Sequence, residues 1–399
     1  MKVFIAGVDG YLGWTLSQYL AGRGHEVAGC DCYFRRDWVA EMGAQSATPI
    51  QKMTHRIQAF RENFDTNLQF IRGDLTDYNF VWNFLRSFKP DAIVHLAEMP
   101  SAPYSMIDVH HAVFTQTNNL VGTLNLMFAM KDVCPDAHLV KLGTMGEYGT
   151  PPCDIPEGVF TDEATFRGKS LEGMMFPRKA GSWYHQTKVH DTNNIEMACR
   201  FWGIRSTDIM QGVVYGTRID EMGDDERLLT RFDFDQCFGT AINRFCAMAV
   251  IGVPITPFGK GHMRRGFLPL RDSMQCFTIA VENPPAKGEY RTFNQFEEVY
   301  DITELAEKVV KVANAEFGLD AEVRNVENPR MEMEEHYYNP DHKKLLDLGY
   351  KPTSDMDGEL KIMLDDLVKY KKRILARAHA ITPDVRWDGR REKVDYIKS

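Results

Sequence analysis

No run of this 399-residue chain is apolar for long enough to span a bilayer. No signal peptide or transit segment precedes Lys2-Val-Phe-Ile-Ala, which already reads as a strand. The expectation is therefore a soluble, cytoplasmic protein, with a plastid form that has lost its leader as the alternative. Basic charge is not in excess. A net charge of −9 argues against nucleic acid or an anionic membrane as the main partner, and confines any anionic substrate to a local basic patch. Metal-ligand spacing is missing as well. Of the eight cysteines (Cys30, Cys32, Cys134, Cys153, Cys199, Cys237, Cys246, Cys276), Cys30 and Cys32 have only one residue between them, too few for the usual zinc or redox pair. Buried, reduced thiols and no metal are expected. Internal repeats are absent too. What is present, 44% hydrophobic and 26% charged residues, is ordinary globular composition with material for one large domain or two fused ones.

The N-terminal strand runs into Gly7-Val-Asp-Gly10-Tyr-Leu-Gly13 and then an amphipathic stretch through Leu20. Strand, glycine turn and helix in that order let a pyrophosphate rest on the helix N-terminus. A second strand, Glu26-Val-Ala-Gly-Cys, ends at Asp31, where an acid accepts ribose hydroxyls and favours NAD over its phosphorylated form. Arg35 and Arg36 follow closely and argue the other way. Residues 37–66 read as one or two helical pieces broken at Thr48-Pro49. A third strand, Leu68 to Arg72, precedes Gly73-Asp74-Leu75. Asp74 is read as a cap on the adenine amino group or else a helix N-cap, a role Asp77 equally fits. The strand Asp91 to Glu98 is apolar enough to be covered on both faces, and its His95 reads as a core histidine. Helix follows to Lys131, containing Asn118. His138-Leu-Val-Lys-Leu-Gly143-Thr144 then opens into a glycine-rich turn with Glu147.

Repeated strand–helix alternation specifies an α/β fold, a Rossmann-type doubly wound parallel sheet. Residues 1–210 are expected to form the NAD-binding domain. Residues 211–399 are expected to form mainly a smaller C-terminal α/β substrate-binding domain, with some segments returning to the sheet. Thr144, Glu147 and Glu98 lie at strand carboxyl ends, where ligands of such sheets bind. In Ser182-Trp-Tyr-His-Gln-Thr-Lys188, Tyr184 and Lys188 stand four apart and share one helix face. A cation there favours the phenolate, making Tyr184 a general base near neutral pH, with Lys188 also able to hold a ribose hydroxyl. Residues 151–181 read as a loop draped before this helix. Pro254 to Asp272 reads as a strand and hairpin carrying four cations, and the Lys/Arg-rich tail after Lys371 as a solvated surface helix and terminus.

With these pieces assembled, the chain resembles the extended short-chain dehydrogenase/reductase superfamily of nucleotide-sugar epimerases and dehydratases. Within it, the chain is similar to the branch that joins sulfite to UDP-glucose. The segments that carry the narrower resemblance are Ser101-Ala-Pro-Tyr-Ser-Met-Ile-Asp108, Lys141-Leu-Gly-Thr-Met-Gly-Glu-Tyr-Gly-Thr150, Gln211-Gly-Val-Val-Tyr-Gly, Phe238-Gly-Thr-Ala-Ile-Asn-Arg-Phe-Cys246 and Glu334-Glu-His-Tyr-Tyr-Asn339. The resemblance implies NAD-dependent oxidation of UDP-glucose at carbon 4, loss of water across carbons 5 and 6, addition of sulfite and re-reduction. Tyr184 would act as base, Thr144 would share its proton, and Lys188 would support both. His185 and Glu147 would serve the elimination. Cofactor contacts would come from Gly7, Asp9, Gly10, Tyr11, Leu12, Gly13, Asp31, Arg35, Arg36, Asp74, Leu75, Leu96, Ala97 and Asn118, with Tyr184 and Lys188. Substrate contacts would come from Glu98, Ser101, Thr144, Gln211, Arg244, Arg265 and Arg330. A homodimer is implied, paired through the helices of residues 109–131 and 184–202. One departure stands out: the branch carries Gln-Arg where this chain has Met99-Pro100, which bears on how sulfite is held. A UDP-hexose 4-epimerase or dehydratase shares fold, NAD and triad. A non-enzymatic NAD-sensing scaffold is disfavoured by the intact Thr144, Tyr184 and Lys188.

Overall fold

Seven short segments rich in β-branched and apolar residues pair side by side in a computed structural model that describes residues 1–161, 163–331 and 337–397. The Glu334-Glu-His part of the last motif lies outside the described residues. The strands are β1 (Lys2–Ala6), β2 (Glu26–Asp31), β3 (Gln69–Arg72), β4 (Ala92–His95), β5 (His138–Thr144), β6 (Arg205–Gln211) and β7 (Tyr290–Gln295). They form a parallel sheet in the order β7-β6-β5-β4-β1-β2-β3. The order in which successive strands are added reverses between β1 and β4, the crevice where open α/β sheets take ligands. Alternation along β1 feeds two cores. Val3 and Ile5 pack with Trp14, Phe60 and Phe277 on one face, while Phe4 and Ala6 pack with Phe84, Leu126 and Ile195 on the other.

Beyond β6 the chain leaves the sheet. Val213–Tyr215, Arg264–Pro269 and Glu298–Asp301 form a separate three-stranded sheet. The helices Ala241–Ile251, Ile302–Phe317 and Met356–Lys369 build a third core beside it. β7 returns to pair with β6. Two expectations fail here. Residues 254–272 are not a hairpin: Ile255 and Phe258 bridge to Val323 and Val326, and the strand Arg264–Pro269 runs directly into the helix Leu270–Glu282. Nor is the tail a solvated terminus. Ile374, Ala380, Ile381, Val385 and Val394 are all buried, because apolar residues interleave with its cations.

One buried carboxylate ties the glycine turn to its surroundings. Asp9 accepts two hydrogen bonds of 2.7 Å from Arg36 and one of 2.6 Å from Arg56, and both Asp9 and Arg56 are almost wholly enclosed. Asp9→Ala would leave the Arg56 guanidinium buried and uncompensated. The expected destabilisation is about 3–5 kcal/mol, read as a fall in the denaturant midpoint. Arg23→Ala, which removes a surface pair with Glu221, should cost about 1 kcal/mol or less in the same measurement.

Candidate active site

A cavity of about 870 Å³ opens at the carboxyl end of the sheet and extends under the second sheet. Its cofactor-facing end is the glycine turn, where Gly7, Gly10, Tyr11, Leu12 and Gly13 all line the wall. Gly7 has φ +88°, and a Cβ there would stand 2.8 Å from the Leu96 carbonyl carbon, so β1 and β4 approach closely only because no side chain intervenes. A Cβ at Gly13 would overlap the Gly7 carbonyl oxygen. Gly10 caps the helix Tyr11–Ala21 without a side-chain hydrogen bond, leaving first-turn amides to face an anion. The Tyr11 hydroxyl donates to the Gly216 carbonyl at 2.7 Å. Asp31 lines the cavity and accepts from the amides of Asp9 (2.9 Å) and Tyr33 (2.7 Å). Burial, then the nearby Asp9, pushes its carboxyl up to about 6. Asp74, Leu75, Leu96, Ala97 and Asn118 complete this wall. The next helix is capped by Asp77, whose carboxylate accepts from the Phe80 amide, which leaves Asp74 on the cavity with one oxygen holding the Thr76 amide.

Three expected cofactor residues, Asp9, Arg36 and Lys188, are not on the wall. Asp9 and Arg36 are spent on each other, and Asp9 contributes only its amide, to Asp31. Arg35 does line the cavity, but Asp233 holds it at 2.7 and 2.9 Å and its guanidinium lies 4.1 Å from the Phe238 ring centre. Arg36 is thus taken up away from the cavity, whereas Arg35 faces it with one terminal nitrogen that has no hydrogen-bond partner.

Thr144 ends β5 and its hydroxyl oxygen accepts from the Gly146 amide at 3.1 Å. Ser182 caps the helix Trp183–Trp202, accepting from the His185 amide, and so fixes the first turn that carries Tyr184 and His185. Both of these residues, with Thr144, line the cavity. Ser182 Oγ also lies 2.9 Å from His185 Nδ1.

Lys188 does not behave as its spacing suggests. Its ammonium lies 2.8 Å from Glu98 Oε2 and donates to the Leu142 carbonyl at 2.5 Å, and it is not part of the cavity wall. Its charge is neutralised by Glu98, which itself lines the cavity instead of serving only the substrate. Burial, reinforced by Glu98 and Glu147, holds the Tyr184 phenol well above its ordinary range. The expected lowering by Lys188 is thus overturned: desolvation outweighs a lysine that is already paired.

Glu147 is also displaced from its expected role. It is fully buried, lies off the cavity wall, and is bound by Arg178 (2.8 Å) and Lys141 (3.3 Å). Lys141 in turn reaches Asp208 and the Lys188 carbonyl. This cluster was not anticipated, although a lysine inside the apolar run of β5 was the available signal. His95 is a core histidine as expected, with Nε2 3.1 Å from the Thr123 hydroxyl, and burial lowers it to about 4.

Toward the second sheet the wall turns cationic. Ser101 donates to the Cys237 carbonyl, and Gln211 donates to Ser273 and Gln295. Arg244, Arg265 and Arg330 all line this end. Arg244 is buried, with one terminal nitrogen lacking a hydrogen-bond partner; burial, then Arg330, lowers it to about 9. A buried guanidinium with an unused donor fits an anionic oxygen. At the departure from the branch pattern, Met99 is buried with its amide on Asn119, and Pro100 presents an uncharged surface to the cavity. Trp387, from the tail, also lines the cavity. Among the described residues there is no cluster suited to a metal ion and no helix long and apolar enough to cross a membrane.

Residues 3–294 match the model of the NAD dependent epimerase/dehydratase family. The chain is 47% identical over 398 residues to a UDP-sulfoquinovose synthase of Sulfolobus acidocaldarius, covering 100% of this chain and 99% of that one. It is 45% identical over 386 residues to the chloroplastic UDP-sulfoquinovose synthase of Spinacia oleracea, covering 97% and 79%. Among solved structures, a UDP-glucuronic acid 4-epimerase from Bacillus cereus in complex with UDP-glucuronic acid and NAD superposes with a TM-score of 0.68 at 21% identity, over 92% of this chain and 99% of that one. The glycine cradle, the Thr144 and Tyr184 wall and near-full-length likeness at this level agree, and the chain belongs to the NAD dependent epimerase/dehydratase family, in the branch that holds the UDP-sulfoquinovose synthases.

Proposed function

We propose that this chain converts UDP-glucose and sulfite to UDP-sulfoquinovose. The observation that carries the reading is that one cavity joins Thr144, Tyr184 and His185 to Arg244, Arg265 and Arg330. That is acid–base chemistry at one end and cations for a diphosphate at the other. The near-full-length relatives support it.

The residues present fit NAD. The glycine turn leaves room for a pyrophosphate, Asp31 offers a carboxylate to ribose hydroxyls, and Arg36 is held by Asp9 off the wall, which supports NAD over its phosphorylated form. Bound there, NAD supplies a positive charge and reversible two-electron oxidation of the sugar, ending in the form in which it began. Tyr184 takes the carbon 4 hydroxyl proton and Thr144 shares it, a step that the positive charge of a nicotinamide ring would favour by offsetting the burial that otherwise keeps the phenol protonated. A ketone at carbon 4 acidifies the proton on carbon 5. His185 moves protons at carbons 5 and 6 as water leaves and the sulfite sulfur bonds to carbon 6. Glu147 is enclosed by Lys141 and Arg178, so its part is to hold that wall and not to exchange protons. Arg244, Arg265 and Arg330 bind the diphosphate, with Gln211 and Ser101 facing the sugar.

An epimerase reading keeps the same first step, and the uncharged Pro100 surface is the observation in its favour. The products separate the two. Incubation with UDP-glucose and sulfite, followed by mass analysis, should give a sulfonated nucleotide sugar; conversion to UDP-galactose regardless of sulfite would overturn the proposal.

A homodimer is supported by exposed apolar side chains on the two helices expected to pair: Val109, Val113 and Phe128 on Val109–Val133, and Met197 and Phe201 on Trp183–Trp202.

Tyr184→Phe should reduce turnover by about 10²–10⁴-fold while NAD remains bound, measured by product formation and cofactor absorbance. Asp31 gives a pH signature. Its folded-state carboxyl titrates at about 6, and ribose hydroxyls need the ionised form, so NAD affinity should weaken as pH falls through that value. Asp31→Asn should flatten this dependence in a titration of NAD binding. Phe201→Glu should shift the sedimenting species from dimer to monomer.

A further inference from the structure

The C-terminal segment crosses the cationic end of the cavity and is fixed at both sides. The Gln236 amide donates to the Ala380 carbonyl at 2.9 Å, and the Gln236 side-chain oxygen accepts from the Asp384 amide at 2.7 Å. Farther on, the Trp387 amide donates to the Pro329 carbonyl at 2.9 Å, the Glu327 amide to the Asp395 carbonyl at 2.9 Å, and the Ile397 amide to the Asn325 carbonyl at 3.0 Å. Arg386 pairs with Glu327 at 2.6 Å. The strap is thus anchored on either side of one residue that faces inward. Trp387 is partly exposed and lines the cavity.

Its neighbours indicate what it meets. The Arg330 guanidinium lies 5.4 Å from the Trp387 ring centre and 5.8 Å from that of Phe258, and Arg244 lies 4.4 Å from Phe258. Phe258 is buried and already covered by Arg244, whereas the indole retains accessible surface toward the cavity. A nucleoside diphosphate is a flat aromatic ring joined through ribose to two phosphates. Cations beside an open aromatic ring match that arrangement, and stacking on an indole requires no particular hydrogen-bond pattern from the base.

We propose that Trp387 is the stacking platform for the uracil ring of the nucleotide sugar, so that the tail supplies a substrate-binding residue. This rests on the UDP-sugar reading above and adds to it a residue from a segment otherwise remote from the site in sequence. The test is calorimetric titration of the NAD-loaded protein with UDP and, separately, with inorganic pyrophosphate. Loss of one base–aromatic stack in Trp387→Ala should weaken UDP binding by about 5- to 150-fold. Pyrophosphate affinity should stay within about twofold, because the arginines are untouched, and Trp387→Phe should retain most of the UDP affinity. Equal weakening of both ligands would mean that the residue only braces the strap, and unchanged UDP binding would mean that it meets no base. Either result overturns the inference. Wild-type protein that fails to bind UDP would instead overturn the reading on which the inference rests.

Discussion

The strand end that carries Thr144 and the helix that carries Tyr184 are joined by a buried ionic cluster centred on Lys141. From β5 its ammonium reaches Glu147 on the following turn, Asp208 on β6, and the Lys188 carbonyl and Thr192 hydroxyl on the helix that carries Tyr184. Arg178 closes the cluster from the loop that precedes that helix. Five elements between residues 138 and 211 are thereby locked at one point behind Thr144 and Tyr184. Charges enclosed this completely are stabilising only when mutually paired, so the cluster tolerates no partial loss. The register between strand end and helix is therefore set by electrostatics as much as by apolar packing.

A second constraint is the close approach of β1 to β4 at Gly7. With Asp9 drawn down by Arg36 and Arg56, the turn has one course, which brings the first helix's amides, Asp31 and Asp74 onto the same wall. The acidic chain as a whole carries the cavity-lining cations Arg244, Arg265 and Arg330 at the far end, on three segments that meet only in the folded state. The two ends of the cavity thus differ in kind: amides and a carboxylate at one, guanidinium groups at the other.

The legible parts of this arrangement were those encoded locally. The glycine turn, the strand ends bearing Asp31 and Thr144, the helix that carries Tyr184 and the core role of His95 all follow from spacing and period. The Tyr184–Lys188 pair shared a face as its spacing required, yet spacing could not reveal that Glu98, ninety positions earlier, would claim the ammonium. The family resemblance gives Glu147 a part in the elimination, but its environment is decided by Arg178 and Lys141, which approach it only in three dimensions. The tail misled in a similar way. Its lysines and arginines dominate composition, while Ile374, Ile381 and Val385 decide where it goes.

The pairing of Glu98 with Lys188 has a consequence for how freely these positions can drift. The carboxylate comes from beyond the end of β4 and the ammonium from the helix that bears Tyr184, and both are enclosed. Neither can be exchanged alone without stranding an opposite charge away from water, so the two are bound to change together or not at all.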